Sequence, residues 1–163
     1  MPNKFFPVSI DLNNKNILVI GAGKIALRKV KTLLDYNCNI TVITKEVLEK
    51  EFLSLEKENK IKILKNQEFE EKFLEDVFLL VSATDNKELN DKISKLCMSK
   101  NILVNNITSQ DNMNLRFMSI LSNDDIQISI TANGNPKKAV EVKNKIKEFF
   151  KKINWQISRI IIK

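Results

Sequence analysis

Short runs of apolar residues recur along the first two-thirds of the chain, and polar residues bound each run. The runs are Ile17–Ile20, Ile40–Ile43, Ile61–Leu64, Val77–Val81 and Ile102–Val104. They are too short for independent helices and are rich in branched side chains, which is typical of strands covered on both faces. We therefore predict a buried strand at each of these positions.

Amphipathic segments lie between these runs, at Ile25–Leu34, Val47–Lys57 and Lys87–Met98. Their apolar residues recur at helical spacing, so we predict that they are helices. Strands that alternate with helices pair in parallel through right-handed crossovers. The pattern predicts a doubly wound parallel α/β sheet over residues 1–105.

The pattern changes after residue 105. Leu115–Leu121 and Ile126–Thr131 are typical of two strands, and a polar turn at 122–125 joins them. Because this turn is too short to hold a crossover helix, we expect the two strands to pair antiparallel. The architecture therefore switches from α/β to α+β near residue 106.

A long helix is predicted at the end of this second region. Pro136 opens it, where the missing proline N–H costs little, and Lys137–Lys152 continues it. The tail that follows, INWQISRIIIK, is apolar for a terminus and needs cover. We predict that residues 106–163 form a small α+β region that mediates a homodimer.

The charge balance does not indicate a nucleic-acid partner. Lysine and arginine total 27 against 20 acidic residues, a net charge of +7, but no basic block is interleaved with aromatic residues. Such a balance suits an anionic small-molecule substrate. No apolar run reaches the length of a membrane span, and the N-terminus lacks a secretory core, so we expect a cytoplasmic protein without a membrane partner.

Histidine is absent, and the two cysteines, Cys38 and Cys97, lie far apart. Their spacing favours reduced core thiols over a disulfide or a zinc site. Without histidine, acid–base chemistry falls to carboxylates, hydroxyls, lysines or the ligand itself. We predict no metal site.

Two of the three glycines stand where the first predicted strand meets the first predicted helix. Gly21, Gly23 and Ala26 form the pattern G-x-G-x-x-A. In this pattern the first residue allows a tight turn, the second allows a diphosphate to approach the backbone, and the third allows the helix to pack close to the strand. The helix N-terminus then offers N–H groups to the phosphates. We predict a Rossmann-like fold that binds a dinucleotide at Gly21, Ala22, Gly23, Lys24 and Ile25.

The second and fourth strands end in further candidate cofactor residues. Glu46 is placed to accept a hydrogen bond from the adenosine ribose, which favours NAD, whereas Lys45 would meet a 2′-phosphate, which favours NADP. We expect NAD and leave NADP open. Thr84 is placed to hydrogen-bond the cofactor, while Asp85 either lies in the same crevice or caps the following helix.

Several short motifs occur in register along the chain. Phe6–Lys15 reads F-P-V-x-I-D-L-x-x-K and leads into Val19–Lys29, which carries the glycine turn. Ala83-Thr84-Asp85 with Leu89-Asn90 follows, and then Val104-Asn105. Over roughly residues 5–150 the chain resembles the precorrin-2 dehydrogenase/sirohydrochlorin ferrochelatase family, the type that forms the N-terminal part of sirohaem synthase.

The resemblance implies NAD-dependent dehydrogenation of precorrin-2 to sirohydrochlorin by a homodimer. It assigns NAD to residues 1–105, and the dimer contacts and an anionic tetrapyrrole to residues 106–163. It also implies that the loop containing Asn133 and Gly134 faces the substrate. Arg116 is a candidate for binding a substrate carboxylate, since a guanidinium recognises carboxylates with two prongs.

The chain departs from the family at the aspartate of V-N-x-x-D. Thr108 occupies that position, and the nearest carboxylate is Asp111, so we take Asp111 and Thr108 as the catalytic candidates. Iron insertion needs a proton acceptor and a metal-handling ligand, which makes a ferrochelatase activity weak and less favoured than dehydrogenation. Two alternatives stay open: an NAD-binding regulatory module and a degenerate tetrapyrrole-binding paralogue.

Overall fold

The computed structural model describes residues 4–122 and 126–152. Its internal contacts divide the chain into two compact units. Phe5–Leu115 forms the larger unit, and the chain from Arg116 onward belongs to the smaller one.

The larger unit is built on a parallel sheet. Its strands are β1 (Asn16–Ile20), β2 (Asn39–Thr44), β3 (Lys62–Lys65), β4 (Leu79–Ser82) and β5 (Leu103–Asn106). The strands pair in the order β3-β2-β1-β4-β5, and every pairing is parallel. The predicted doubly wound, Rossmann-like sheet is confirmed.

Helices α1 (Lys24–Leu33), α2 (Glu51–Lys57) and α3 (Lys87–Ser99) connect the strands, with a single 3₁₀ turn at Glu71–Leu74 between β3 and β4. Helix α2 begins at Glu51, later than the predicted Val47, and the backbone N–H groups of residues 48 and 49 before it donate to the carbonyl of Ala22. No helix among the described residues has the length and apolar content to cross a bilayer.

The core of the larger unit fills both faces of the sheet, as the branched strands predict. On one face, Leu18, Leu80 and Val104 pack with Ile93 and Cys97 of α3. Burial raises the pKa of the Cys97 thiol to about 12, so this thiol stays protonated at neutral pH. Both cysteines of the chain are free thiols; Cys97 lies in the core as predicted, whereas Cys38 is only half-buried.

Asparagine ends two of the helices in a conformation that usually selects glycine. Asn59 follows α2 with φ of 56°, and Asn101 follows α3 with φ of 58°. Asparagine tolerates the left-handed region better than other residues with a Cβ atom. This chain therefore does not need glycine merely to reach a positive φ.

The smaller unit contains a hairpin, β6 (Ser119–Ser122) and β7 (Gln127–Ile130), and helix α4 (Pro136–Lys152), which contacts both strands. The hairpin is antiparallel, as predicted. The predicted strand start at Leu115 is wrong, because the N–H of Leu115 donates to the Val104 carbonyl at 3.1 Å beside β5. Of the predicted turn at 122–125, Ser122 is the last residue of β6, and residues 123–125 lie outside the described residues, as does the apolar tail.

Lys29 makes the stability of the larger unit depend on pH. Burial, together with the nearby charge of Arg28, lowers the pKa of Lys29 from 10.5 to about 8. Between these values the unfolded chain holds a proton that the folded chain has released, so stability rises with pH across this window.

Replacement of this side chain is expected to remove that dependence. Lys29→Met should raise the free energy of unfolding at pH 7 by about 1–2 kcal/mol, since the cost of partly burying the ammonium is removed. Near pH 10 the two proteins should differ far less. Urea unfolding at both pH values measures this, and a stability difference that does not shrink as pH rises would contradict the assignment.

Candidate dinucleotide-binding site

The loops that follow the parallel strands meet at one edge of the sheet. From β1 the chain continues to β2 on one side, and from β4 it continues to β5 on the other side. The crevice between the ends of β1 and β4 is therefore the expected ligand site of an open α/β sheet. Main-chain bonds fix the loops: the N–H of Ala83 donates to the Ile20 carbonyl at 2.9 Å, and that of Gly21 to the Ile43 carbonyl at 2.8 Å.

Gly21 is required by the protein itself. Its φ is +102°, and a Cβ atom there would lie 2.5 Å from the Ala83 carbonyl oxygen. Asparagine serves at positive φ elsewhere in the chain, but any side chain at this position would collide with β4. The first glycine therefore holds β1 and β4 close together at the start of the crevice.

Gly23 is not required by any packing contact in the described chain. Its backbone is extended, with φ of −93°, and an added Cβ would meet only Leu48 Cδ1 at an ordinary 3.8 Å. No contact within the described residues excludes alanine here. The bare backbone at Gly23 is what the approach of a diphosphate requires, so this residue fits the predicted cofactor.

The N-terminus of α1 is also suited to an anion. Gly23 is its N-cap residue, no side chain caps it, and no acidic residue lies in its first turn. Lys24 and Ile25 are exposed there, while Ala22 is buried beneath the turn. Helix N–H groups and the partial positive charge at this end favour phosphate.

Lys45, at the end of β2, is paired with a residue that follows β3. Its Nζ lies 2.6 Å from Glu68 Oε1, and this hydrogen bond and charge raise the pKa of Lys45. The Asp85 carboxylate adds to the same upward shift. Glu46 beside them is exposed. The carboxylates of Glu68 and Asp85 together outweigh the single ammonium of Lys45, which disfavours a 2′-phosphate at this corner.

Thr84, at the end of β4, is held by Asn90 of α3. Its hydroxyl lies 2.7 Å from Asn90 Oδ1, and its carbonyl accepts from Asn90 Nδ2 at 2.9 Å. Asp85 is not the helix cap, because Asn86 Oδ1 accepts from the Leu89 N–H at 2.9 Å and caps α3 itself. Thr84 thus lines the crevice in a fixed orientation.

Thr108 follows β5 and joins the same hydrogen-bonded network. Its hydroxyl accepts from Asn90 Nδ2 at 3.2 Å and donates to Asn106 Oδ1 at 2.8 Å. Asn106 Nδ2 in turn donates to Asp91 Oδ1 at 2.8 Å. The structure therefore brings Thr108 together with Thr84, two residues that are far apart in sequence.

Asp111 lies on the exposed loop that contains Thr108. Its backbone N–H donates to Ser109 Oγ at 3.2 Å. Asn114 ends the loop beside β5, where its side chain accepts from the Val104 N–H at 2.7 Å and donates to the Ile102 carbonyl at 3.1 Å. Asp111 is thus on a loop fixed at both ends, and its catalytic role stays a prediction.

The predicted substrate residues Arg116, Asn133 and Gly134 lie in the smaller unit. Asn133 and Gly134 have φ of 47° and 86° and form a tight turn, which the Asn135 N–H closes onto the Ala132 carbonyl at 2.9 Å. The turn accounts for both residue types without a ligand. Their substrate role, and that of the half-buried Arg116, stays a prediction.

Within residues 4–122 and 126–152, no group of three or more cysteine, aspartate or glutamate side chains is placed to hold a metal ion. The site in the larger unit is therefore characterised by backbone N–H groups, a small polar network and one ion pair. These are groups that bind and orient an organic cofactor.

Comparison with known proteins supports this interpretation of the site. The model of the family described as "Putative NAD(P)-binding" matches residues 8–119, which include the glycine turn and every strand of the parallel sheet. The chain belongs to this family. NAD(H) is thus the cofactor class of the chain, as predicted.

Two relatives of this NAD(P)-binding chain are siroheme synthases. Siroheme synthase of Mannheimia succiniciproducens is 37% identical over 130 residues, covering 80% of this chain and 27% of the relative. Siroheme synthase of Buchnera aphidicola is 35% identical and covers the same 80% share of this chain and 27% share of the relative. The chain thus spans about a quarter of the length of these relatives.

A solved structure also resembles the NAD(P)-binding chain. The structure of "SirC, precorrin-2 dehydrogenase" matches with a TM-score of 0.75 and 25% identity, over 88% of this chain and 70% of that one. The family resemblance stated from the sequence motifs is confirmed.

Sequence reasoning assigned no role to Asn90 and did not single out Glu68. Asn90 is completely buried and shares the inner face of α3 with Ile93 and Cys97. A polar residue on an otherwise apolar helix face needs buried partners, which is the signal that the pattern offered. Glu68 gave no comparable signal, because its pairing depends on how β3 lies beside β2.

The two glycines are expected to respond differently to alanine. Gly21→Ala should destabilise the protein by about 2–5 kcal/mol, because it combines a strained φ with a collision. Gly23→Ala should change stability by less than about 1 kcal/mol but weaken NAD binding about tenfold or more. Thermal unfolding and NAD calorimetry measure both, and tight NAD binding by Gly23→Ala would contradict the assignment.

Loss of the ion pair between Lys45 and Glu68 is expected to weaken the discrimination against NADP. Glu68→Gln should improve NADP affinity relative to NAD by up to about fivefold, the range for an exposed ion pair. Glu58→Gln is a matched control, since Glu58 pairs with Lys60 at the opposite end of β3. If the two variants shift the ratio of the two dissociation constants equally, Lys45 does not sense the phosphate.

Proposed function

We propose that this chain is an NAD-dependent precorrin-2 dehydrogenase, which removes hydride and a proton from precorrin-2 to give sirohydrochlorin and NADH. The observation that carries the proposal is the combination of a dinucleotide site and an extended likeness to a precorrin-2 dehydrogenase. That likeness spans both units of the chain rather than the Rossmann-like unit alone.

The residues of the larger unit would hold the cofactor. The backbone of Gly21, Ala22 and Gly23, with the start of α1 at Lys24 and Ile25, would receive the diphosphate. Glu46 and the Lys45–Glu68 pair would adjoin the adenosine ribose, and Thr84 would border the nicotinamide side of the crevice. When bound, NAD supplies the hydride acceptor, and the protein contributes orientation and electrostatics.

We further propose that the anionic tetrapyrrole contacts Arg116, Asn133 and Gly134, and that Asp111 accepts the proton. The net charge of +7 supports an anionic substrate. The implied homodimer is supported by the apolar side chains of Val140, Val142 and Phe149, which are 37–59% exposed on α4.

Dehydrogenation is favoured over iron insertion by the chemistry of the side chains. The chain has no histidine, and Thr108 at the family's aspartate position is a neutral hydroxyl that is engaged on both sides. A hydride transfer to NAD demands less of the protein than metal insertion does. The cytoplasmic location stays a prediction.

Turnover of the intact chain tests the proposal directly. Incubation with precorrin-2 and NAD should produce sirohydrochlorin and NADH in equal amounts, followed by the absorbance of each. Gly23→Ala is the matched control, because it should fold normally yet bind NAD poorly.

The alternatives give different results in the same assay. Binding of NAD without turnover would favour the regulatory module or the degenerate paralogue and contradict the proposal. Turnover with NADP but not NAD would retain the dehydrogenase and contradict the interpretation of Lys45.

A further inference from the structure

Asn90 uses all of its hydrogen-bonding capacity inside the larger unit. Its Oδ1 accepts from Ser82 Oγ at 2.9 Å, from the Thr84 N–H at 3.2 Å and from the Thr84 hydroxyl at 2.7 Å. Its Nδ2 donates to the Thr84 carbonyl and to the Thr108 hydroxyl. An amide with no exposed surface is tolerated only when its polar atoms are satisfied in this way.

The Asp91 carboxylate and the backbone groups of Thr84 and Thr108 together set the direction of the bonds in this network. Asp91 Oδ1 can only accept when it is ionised, so the NH₂ group of Asn106 faces it and Asn106 Oδ1 is left to accept. The Thr108 hydroxyl must then donate to Asn106 Oδ1 and accept from Asn90 Nδ2. Asn90 Oδ1 is consequently turned toward Thr84.

This polarity explains why a hydroxyl stands where the family has aspartate. A carboxylate at position 108 would face Asn106 Oδ1, and two acceptors in contact repel each other. Threonine provides one donor and one acceptor, which the two neighbouring amides require. Thr108 therefore fits its surroundings better than the residue it replaces.

We propose that Asn90 and Thr108 are positioning residues, which fix the loop at 107–112 against the cofactor-binding end of β4. The loop is also held by the Ile107 N–H, which donates to the Ser82 carbonyl at 3.1 Å, by the Thr108 N–H, which donates to Asn106 Oδ1 at 2.9 Å, and by Asn114 beyond its far end. Resting on the proposed function, this assigns Thr108 to the placement of the proton-accepting loop rather than to the chemistry.

Thr108→Val tests the proposal and leaves the hydrogen bonds between Asn90 and Thr84 in place. Valine keeps the shape but removes the hydroxyl, so kcat should fall about 10- to 100-fold while the NAD dissociation constant changes by less than about twofold. Thr108→Ser should restore kcat. Amide hydrogen exchange of residues 107–112 should accelerate in the valine variant and return to the parental rate in the serine variant.

Ser94→Ala provides a matched control. Ser94 Oγ donates to the Asn90 backbone carbonyl at 2.7 Å, so this variant loses a buried hydrogen bond on the same helix without touching the loop. It should leave kcat and loop exchange unchanged. If Ser94→Ala and Thr108→Val lower kcat and accelerate loop exchange equally, the effect is general destabilisation, and the proposal is overturned.

Hydrogen exchange separates this proposal from the proposed function. If the parent chain binds NAD but does not turn over precorrin-2, the proposed function fails, and faster loop exchange in Thr108→Val still supports the positioning role. If the valine variant keeps both the parental kcat and the parental loop exchange, the positioning role is refuted.

Discussion

The contact between the backbone at Gly21 and the Ala83 carbonyl determines how closely β1 and β4 approach at the end of the sheet. The chain diverges here in opposite directions, and the crevice opens between the two strands. Because a Cβ atom at Gly21 would lie 2.5 Å from that carbonyl oxygen, only glycine allows the approach. The crevice, the start of α1 and the position of Thr84 all depend on this contact.

Around that contact the chain uses asparagine for two separate tasks. Asn59 and Asn101 adopt left-handed backbone conformations where many proteins use glycine. Asn90 and Asn106 connect the ends of β4, α3 and β5 through side-chain amides. Two of the three glycines, Gly21 and Gly23, are thereby placed where the absence of a side chain has a steric or ligand-related reason.

The sequence predicted those features that depend on short-range rules. The order of strands and helices follows from hydrophobic periodicity, and the turn at Gly21 follows from sterics within a few residues. The contact of residues 48 and 49 with the Ala22 carbonyl, just before α2 starts at Glu51, was not predictable in this way, because it joins segments that are distant in sequence.

The site was only partly predictable for the same reason. The glycines and the ends of β2 and β4 were located from local motifs, whereas the Lys45–Glu68 pair depends on the lateral order of the strands. The tie between Asn90 and Thr108 joins residues that are 18 positions apart. Such contacts are properties of the folded sheet, and no local pattern of residues encodes them.

The dinucleotide site depends on whether the bare backbone of the β1–α1 turn receives a diphosphate. A crystal structure of the chain grown with NAD should show diphosphate oxygens within hydrogen-bonding distance of the main-chain N–H groups between Gly21 and Ile25. A diphosphate bound elsewhere, or a side chain filling the space above Gly23, would contradict it.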